Sequence, residues 1–209
     1  MNLPNGLTLM RIFLVPLLVA VLLTKYNLLI AAAIFLAASL TDLLDGYFAR
    51  KRGQITTLGT LLDPVADKLL ISSAFISLVE LQVVKAWMVA IIVGREFAVT
   101  GLRSIASAQG FTIDASELGK MKMVSQVTAI TLLILGMPMP GGNPYPIFRT
   151  LGIISLYFVV LFAVVSAIDY FRTFWTQIDD RFKARQRRRL ILLQKRQRRH
   201  VPTRDVPTH

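Results

Sequence analysis

The sequence predicts an all-α protein, a membrane helix bundle of six transmembrane helices with both termini in the cytoplasm. The chain has 209 residues, of which 54% are hydrophobic, and this is too apolar for an ordinary soluble domain of that length. Its apolar residues fall into six runs of about 18 to 26 residues, each long enough to cross a bilayer. Basic residues are concentrated around every second connection, that is after the second run, at the start of the fifth and after the sixth, and these positions lie on one side of the membrane if each run crosses it.

The six spans can be placed in order along the chain. Residues 1–10 are predicted to form a short interfacial segment that leads into the first span. Four Pro and two Gly in 138–146 indicate a connection without helix before the last span. The spans are predicted at 7–24, 28–49, 59–80, 86–106, 119–137 and 147–172. We therefore predict a transmembrane domain over 1–172 and a basic cytoplasmic tail over 173–209.

The distribution of basic residues predicts the orientation. Arg50, Lys51 and Arg52 follow the second span, Lys120 and Lys122 begin the fifth, and the basic tail follows the sixth. The opposite side carries only three such residues: Lys25, Lys85 and Arg149. By the positive-inside rule, the end of the second span and both termini face the cytoplasm. We expect a multi-pass protein of the plasma membrane.

The tail accounts for most of the formal net charge of +12. Residues 173–209 contain eleven Lys and Arg against three Asp, with one apolar patch at 190–193. Such a segment after a last span is expected either to contact anionic membrane lipid or to lack fixed structure. No nucleic acid partner is expected, because the Arg-rich run lacks aromatic residues that stack on bases. Cysteine is absent, which excludes disulfides and thiolate metal sites.

Four carboxylates cluster around the connection between the second and third spans. They are Asp42, Asp45, Asp63 and Asp67. On each arm the acids recur every three or four residues, together with small residues, so each set lies on one helix face. A basic turn around Gly53 would join the two arms as an antiparallel hairpin. Such a hairpin would direct all four carboxylates into one space.

Carboxylates this close together at the edge of a bilayer predict a bound cation. An Asp at a helix centre costs roughly 3 kcal/mol on insertion scales, and mutual repulsion adds to this cost. One or two divalent cations would offset both terms. Oxygen ligands without Cys or a nearby His favour Mg²⁺, Mn²⁺ or Ca²⁺. The alternative is a loop of solvated Asp residues, which would not require helical spacing on both arms.

The fourth and fifth spans carry charges near the same side of the membrane. Arg103 and Lys120 have few acids to neutralise them, so we expect them to bind an anion. Glu96 has two open interpretations: an intramembrane ion pair with Arg95 or Arg103, or a role in the site. Lys122 is nearly opposite Lys120 on a helix and is expected to extend toward lipid headgroups.

Carboxylates that hold metal ions beside cationic side chains suit displacement at phosphorus. One carboxylate would take the proton of an acceptor hydroxyl. A cation- or proton-coupled transporter is the alternative from another class. Transporters, however, more often place acids at mid-bilayer on broken helices, whereas these acids cluster at one face beside a basic loop.

The pattern D-x2-D-G-x2-A-R-x8-G-x3-D-x3-D is met at every fixed position from Asp42 to Asp67. It resembles the signature of the CDP-alcohol phosphotransferase family of integral membrane enzymes. The resemblance implies transfer of a phosphatidyl-type group from a CDP-linked donor to an alcohol, with release of CMP. It also implies a homodimer and two Mg²⁺ ions, with Mn²⁺ as a substitute. The implied ligands are Asp42, Asp45, Asp63 and Asp67, of which Asp67 is the catalytic base.

Stretches 2–11, 63–69, 95–103 and 119–122 resemble the family members that use CDP-diacylglycerol as donor and sn-glycerol 3-phosphate as acceptor. Met123 departs from that pattern, where Thr is expected. Acceptors of other members, such as phosphatidylglycerol, inositol phosphate or serine, are the alternatives. The residues implied for the CDP-diacylglycerol site are Asn5, Thr8, Asp42, Gly46, Ala49, Arg50 and Gly59. Those implied for the acceptor phosphate are Arg95, Arg103 and Lys120.

Overall fold

A computed structural model describes residues 3–52, 57–110, 118–138 and 146–199. Within these ranges, side chains are described except at 3–5, 7–8, 42–64, 118–121 and most positions beyond 179. The described chain is built from helices: α1 (Leu3–Thr24), α2 (Leu28–Arg52), α3 (Thr57–Glu80), α4 (Ala86–Ala108), α5 (Leu118–Leu135) and α6 (Pro146–Arg199). The all-α prediction is confirmed, and each predicted span corresponds to one helix.

Two helix ends differ from the prediction. The first helix begins at Leu3, inside the segment predicted to be interfacial, because Pro4 is tolerated in the first turn of a helix. The last helix has 54 residues and continues to Arg199, past the predicted boundary at 172. Residues 173–199 contain neither Gly nor Pro and are rich in Arg, Lys, Gln and Leu, which favour helix. The division into two parts stays a prediction.

Among the described residues, one helical segment is both long and apolar enough to cross a membrane, Pro146–Asp179. Three other apolar helical stretches are shorter: Leu9–Thr24, Leu28–Thr41 and Lys122–Leu135. At one end of each of these three stretches, the adjoining side chains lie outside those described. The number of membrane crossings and their orientation therefore remain predictions.

The helices pack around one main apolar core. α1 contacts α2 and α3, α5 contacts α2, α3 and α6, and α4 contacts α3 and α6. The largest apolar side chains of this core are fully buried: Leu18, Leu22, Phe35, Phe75, Leu78, Ile92, Ile130, Leu133 and Ile134. A smaller cluster of Val99, Ala106, Tyr170 and Phe174 joins the end of α4 to α6. This second cluster lies beside the polar site.

The turns after α1 and α3 are short and make the helices that they join antiparallel. Lys25 and Gln82 have φ angles of 50° and 58°, and these left-handed residues reverse the chain after α1 and α3. Asn27 begins α2, since its Oδ1 accepts hydrogen bonds from the backbone N–H groups of Leu29 (2.9 Å) and Ile30 (3.2 Å). The start of α3 and the end of α4 consequently lie at the same end of the bundle.

Gly136, directly after α5, lies against the backbone of the first turn of α6. A Cβ atom there would collide with the backbone of Phe148 and Arg149. Gly136→Ala should therefore lower the free energy of unfolding by about 1–3 kcal/mol, the usual cost of overpacking, and should lower Tm in detergent. Gly94→Ala on α4 is the matched control, because a Cβ there meets nothing within 4 Å. Equal Tm values for the two variants would contradict this packing.

Candidate active site

The predicted Asp hairpin is helical on both arms. Asp42 and Asp45 lie in α2, Asp63 and Asp67 lie in α3, and the two helices contact each other. Of these four carboxylates, only that of Asp67 belongs to the described side chains. The described residues contain no group of three or more His, Asp or Glu that could hold a metal ion. The four-Asp metal site therefore stays a prediction.

The residues predicted for the donor lie on α1, α2 and α3. They too fall outside the described side chains: Asn5, Thr8, Gly46, Ala49, Arg50 and Gly59. Their helical backbones keep the spacing on which the prediction depends. The donor site remains a prediction for the same reason as the metal site.

Asp67 is held by a buried arginine from the first helix. Arg11 Nη1 donates a hydrogen bond to Asp67 Oδ1 at 2.7 Å. The Arg11 side chain is 0% exposed, whereas that of Asp67 is 39% exposed. A charge-assisted bond of this length fixes the carboxylate in orientation and ties α1 to α3. Asp67 is thus positioned by the interior and still accessible from outside.

Asp67 lines a polar cavity of about 340 Å³ between α3, α4 and α5. Its polar lining residues are Asp67, Lys68, Ser72, Glu96, Arg103, Lys122 and Gln126. Its apolar lining residues are Ile71, Ile92, Val93 and Met123. Three cationic side chains and two carboxylates therefore meet in one space, a composition suited to an anionic ligand that also carries a reactive polar group.

The structure places Arg103 on this cavity. Its guanidinium lies over the ring of Tyr170, with Cζ 5.8 Å from the ring centroid, a cation–π distance. Tyr170 is buried in the small cluster between α4 and α6, so it provides a fixed support. Arg103 itself is exposed and makes no ion pair within the described part of the chain. Its charge is available to a ligand.

Glu96 is the centre of a partly buried ionic cluster. Lys122 Nζ forms an ion pair with Glu96 Oε1, and Arg95 Nη1 donates to the same oxygen at 3.2 Å. Arg95 Nη2 also donates to the Ser166 hydroxyl. The cluster joins α4, α5 and α6. Of the two interpretations of Glu96, the structure favours the ion pair, with Arg95 and Lys122 as partners.

Two basic residues differ from their predicted surroundings. The prediction that Lys122 extends to lipid headgroups is wrong, because Lys122 is only 8% exposed and its ammonium meets the inward-facing carboxylate of Glu96. Arg95, predicted to contact the acceptor phosphate, is absent from the cavity lining and serves Glu96 and Ser166 instead. Lys120 lies in the first turn of α5, and its side chain is outside those described.

Several residues of the site were not predicted from the sequence. Lys68 directly follows Asp67, and Gln126 comes one helical turn after Lys122, so it shares a face with that lysine. An isolated Gln in an apolar run was the signal that could have identified it. Met123 lines this cavity and also a mainly apolar cavity of about 460 Å³ between α2 and α5. It therefore forms part of the wall between the two spaces.

Comparison with known proteins gives the family. Residues 1–171 match the family described as CDP-alcohol phosphatidyltransferase. The chain belongs to this family. Its members include a CDP-diacylglycerol–glycerol-3-phosphate 3-phosphatidyltransferase of Bacillus subtilis, 39% identical over 189 residues that cover 83% of this chain and 95% of that protein. A protein of the same description from Rickettsia felis is 34% identical, over 82% of this chain and 94% of its own length.

The fold of this CDP-alcohol phosphatidyltransferase also resembles a solved structure. A Mycobacterium tuberculosis phosphatidylinositol phosphate synthase, crystallised with CDP-DAG bound, matches with a TM-score of 0.61 and 19% identity. The match covers 84% of this chain and 87% of that one. The family predicted from the Asp motif is thus confirmed, and the chain is a phosphatidyltransferase. The transporter alternative has no support.

Proposed function

We propose that this chain transfers the phosphatidyl group of CDP-diacylglycerol to sn-glycerol 3-phosphate, giving phosphatidylglycerophosphate and CMP in phospholipid biosynthesis. The observation that carries this proposal is the 39% identity to the Bacillus subtilis enzyme over nearly that protein's whole length. The cavity adds physical support, because an accessible carboxylate and an exposed arginine line the same space.

The reaction forms one bond, breaks another and moves one proton. The acceptor hydroxyl oxygen forms a bond to the phosphatidyl phosphorus, and the bond from that phosphorus to the CMP oxygen breaks. The hydroxyl proton passes to Asp67, and CMP leaves with the bonding electron pair. We assign this proton transfer to Asp67 because it lines the cavity and Arg11 fixes its orientation. A positioned base of this kind contributes about 10²–10⁴ in rate.

Two Mg²⁺ ions, or Mn²⁺, are proposed as cofactors, held by Asp42, Asp45, Asp63 and Asp67. The donor set fits, because it consists of hard carboxylate oxygens on two helices that contact each other. When bound, the ions would neutralise charge on the diphosphate of the donor. Gly46, Ala49 and Gly59 would let the nucleotide approach the helix backbone, with Asn5, Thr8 and Arg50 as further donor contacts.

The acceptor phosphate is assigned to Arg103 and Lys120. Arg103 is exposed and supported by Tyr170, and Lys120 begins the helix that forms the facing wall. Arg95 is retained in the acceptor site only as a positioning residue, through its bond to Glu96. Lys122 is neutralised by Glu96 and is not proposed to bind the phosphate.

The test of the proposed function is CMP release. The purified protein in detergent, supplied with CDP-diacylglycerol and Mg²⁺, should release CMP when glycerol 3-phosphate is added. Phosphatidylglycerol, inositol phosphate and serine are the comparison acceptors, since they represent the alternative activities in the family. Rapid CMP release with one of these and none with glycerol 3-phosphate would replace the proposed substrate. Chelation of the divalent cation should stop the reaction.

Arg103→Ala should raise the KM for glycerol 3-phosphate by about ten- to hundredfold, because a charge-assisted hydrogen bond contributes roughly 1.5–3 kcal/mol. The KM for CDP-diacylglycerol should change little. Arg172→Ala is the matched control, since Arg172 is exposed on α6 and does not line the cavity. If Arg103→Ala instead weakens donor binding and leaves the acceptor KM unchanged, this arginine belongs to the CDP side.

We propose that the cavity faces the cytoplasm from the plasma membrane. The absence of cysteine allows a direct test with single-cysteine variants. Gln109→Cys, at the end of α4, should be protected in intact spheroplasts from a membrane-impermeant maleimide. Lys85→Cys, at the start of the same helix, should be labelled. The reverse pattern would invert the proposed topology.

Membrane lipid and a second copy of the chain are the remaining proposed partners. Both follow from the family resemblance and the basic tail. The exposed apolar side chains of α6 are available to lipid or to a partner subunit: Tyr157, Phe158, Leu161, Val165, Ile168, Phe171 and Trp175. Mass spectrometry of the protein released from detergent would distinguish a homodimer from a monomer.

A further inference from the structure

Gln126 is a buried carboxamide that lacks a hydrogen-bond partner for its nitrogen. The residue is only 4% exposed, and no described residue accepts a hydrogen bond from its Nε2. It nevertheless lines the polar cavity. Buried amide groups in proteins are nearly always paired, and leaving one unsatisfied is costly. A group that enters the cavity is therefore the natural partner.

The position of Gln126 in the cavity limits what that group can be. Arg103 is near the end of α4, at the Asp hairpin end of the bundle, and lines the cavity. Gln126 lies one helical turn beyond Lys122, roughly 6 Å further from that end. The lining residues Ile71, Ser72 and Ile92 likewise lie one helical turn further from that end than the charged lining residues of their own helices. We call the part of the cavity lined by Arg103 its mouth and the part lined by Gln126 and these three residues its floor; the mouth is cationic and the floor is neutral.

A neutral floor does not suit the phosphate of the acceptor. The cation nearest to Gln126 along α5 is Lys122, whose charge Glu96 already neutralises. A phosphate is bound more strongly at the mouth by Arg103. A hydroxyl group suits the floor, since it both donates and accepts a hydrogen bond, as does a carboxamide. The acceptor would then have its phosphate at Arg103, its reacting hydroxyl beside Asp67 and its secondary hydroxyl toward Gln126.

We propose that the Gln126 carboxamide binds the non-reacting secondary hydroxyl of the acceptor and so selects a polyol phosphate over a simple alcohol phosphate. This inference rests on the proposed function, and it adds a specificity-determining residue. Sites built to hydrogen-bond a substrate hydroxyl discriminate strongly against analogues that lack it, because the buried polar group is then left unsatisfied.

The test compares two acceptors that differ in one hydroxyl. 3-Hydroxypropyl phosphate has the phosphate and the primary hydroxyl of glycerol 3-phosphate but lacks the secondary hydroxyl. We expect wild-type kcat/KM to favour glycerol 3-phosphate by about ten- to hundredfold. Gln126→Met keeps the length of the side chain and removes the amide, so the ratio should fall to within about threefold of one. The variant should lose kcat/KM for glycerol 3-phosphate and retain turnover of 3-hydroxypropyl phosphate, which would show that it is folded.

Thr131→Val is the matched control on the same helix. The Thr131 hydroxyl bonds to the carbonyl of Val127 within α5 and is absent from the cavity lining, so its variant should keep the wild-type ratio. A wild-type ratio in Gln126→Met, with or without a lower Tm, would show that the carboxamide serves packing or holds a water molecule, and would overturn the inference. A wild-type enzyme that does not distinguish the two acceptors would overturn it as well.

If Gln126→Met is inactive with both acceptors, Gln126→Asn decides the question. This variant keeps the carboxamide and withdraws it by one methylene, so the ratio should fall, and an unchanged ratio would overturn the inference. Failure of the proposed function looks different, because wild-type protein would then release no CMP with glycerol 3-phosphate. A wild type that is active with glycerol 3-phosphate while Gln126 has no effect on the ratio refutes the inference alone.

Discussion

Asp67→Asn should lower kcat for CMP release by about 10³-fold or more, while the protein stays folded and still binds CDP-diacylglycerol. Asparagine retains an oxygen that can accept the hydrogen bond now donated by Arg11 Nη1, so the link between α1 and α3 is kept. The amide cannot take a proton from the acceptor hydroxyl. A positioned base contributes about 10²–10⁴ in rate, and loss of a carboxylate ligand would add to the effect.

Asp169→Asn provides the matched control for this experiment. Asp169 is exposed on α6 and does not line the cavity, so kcat should remain close to the wild-type value. Near wild-type turnover in Asp67→Asn would remove this residue from the reaction. Equal loss of kcat and of donor affinity would indicate that Asp67 acts by holding the donor rather than by taking the proton.

The helices were the most predictable part of this molecule. Six apolar runs separated by Gly, Pro or charge predicted six helices, and the structure contains them. The ends of the helices were less predictable, because local composition alone does not decide where a helix begins or stops. Residues 1–10 were predicted to be interfacial, yet α1 begins at Leu3 because proline fits a first turn, and the uninterrupted helix formers after Thr173 extend α6 to Arg199.

The charged side chains show where sequence reasoning stops. The sequence offered Arg95 or Arg103 as the partner of Glu96, and the contact with Arg95 is present. The second partner, Lys122 on α5, was not predicted. Spacing along one helix does not give the rotation of that helix against its neighbours, and this rotation decides which charges meet. For the same reason Lys122 was expected at the lipid surface, whereas packing of α5 turns it inward.

Contacts between side chains far apart in the sequence could not be predicted, for a second reason. Arg11 and Asp67 are separated by 56 positions, and nothing local in either helix specifies the contact. An isolated Arg in an apolar run does, however, require a partner because an uncompensated charge in a membrane is costly. By this argument, Arg11 and Gln126 can be recognised from the sequence as residues that need a partner on another helix or in a ligand.

The contributions of Glu96 and Lys122 to stability should be strongly coupled. Glu96→Gln should destabilise the protein by about 3–5 kcal/mol, because it leaves the ammonium of Lys122 buried without its countercharge. The destabilisation comes from the uncompensated charge of Lys122 rather than from the loss of an attractive contact. Thermal unfolding in detergent should therefore show a large decrease in Tm, with α4, α5 and α6 no longer joined through this carboxylate.

The double variant Glu96→Gln/Lys122→Met is the decisive comparison. It removes both charges, and replacing a buried ion pair by apolar or neutral groups of similar size is often close to neutral. We expect the double variant to recover most of the Tm lost in Glu96→Gln, giving a coupling energy of about 2 kcal/mol or more in a double-mutant cycle. Additive losses would mean that Lys122 and Glu96 do not stabilise each other, and that the cluster does not hold the cavity wall. Glu80→Gln at the exposed end of α3 is the matched control, since removal of a carboxylate there should change the free energy of unfolding by less than about 0.5 kcal/mol.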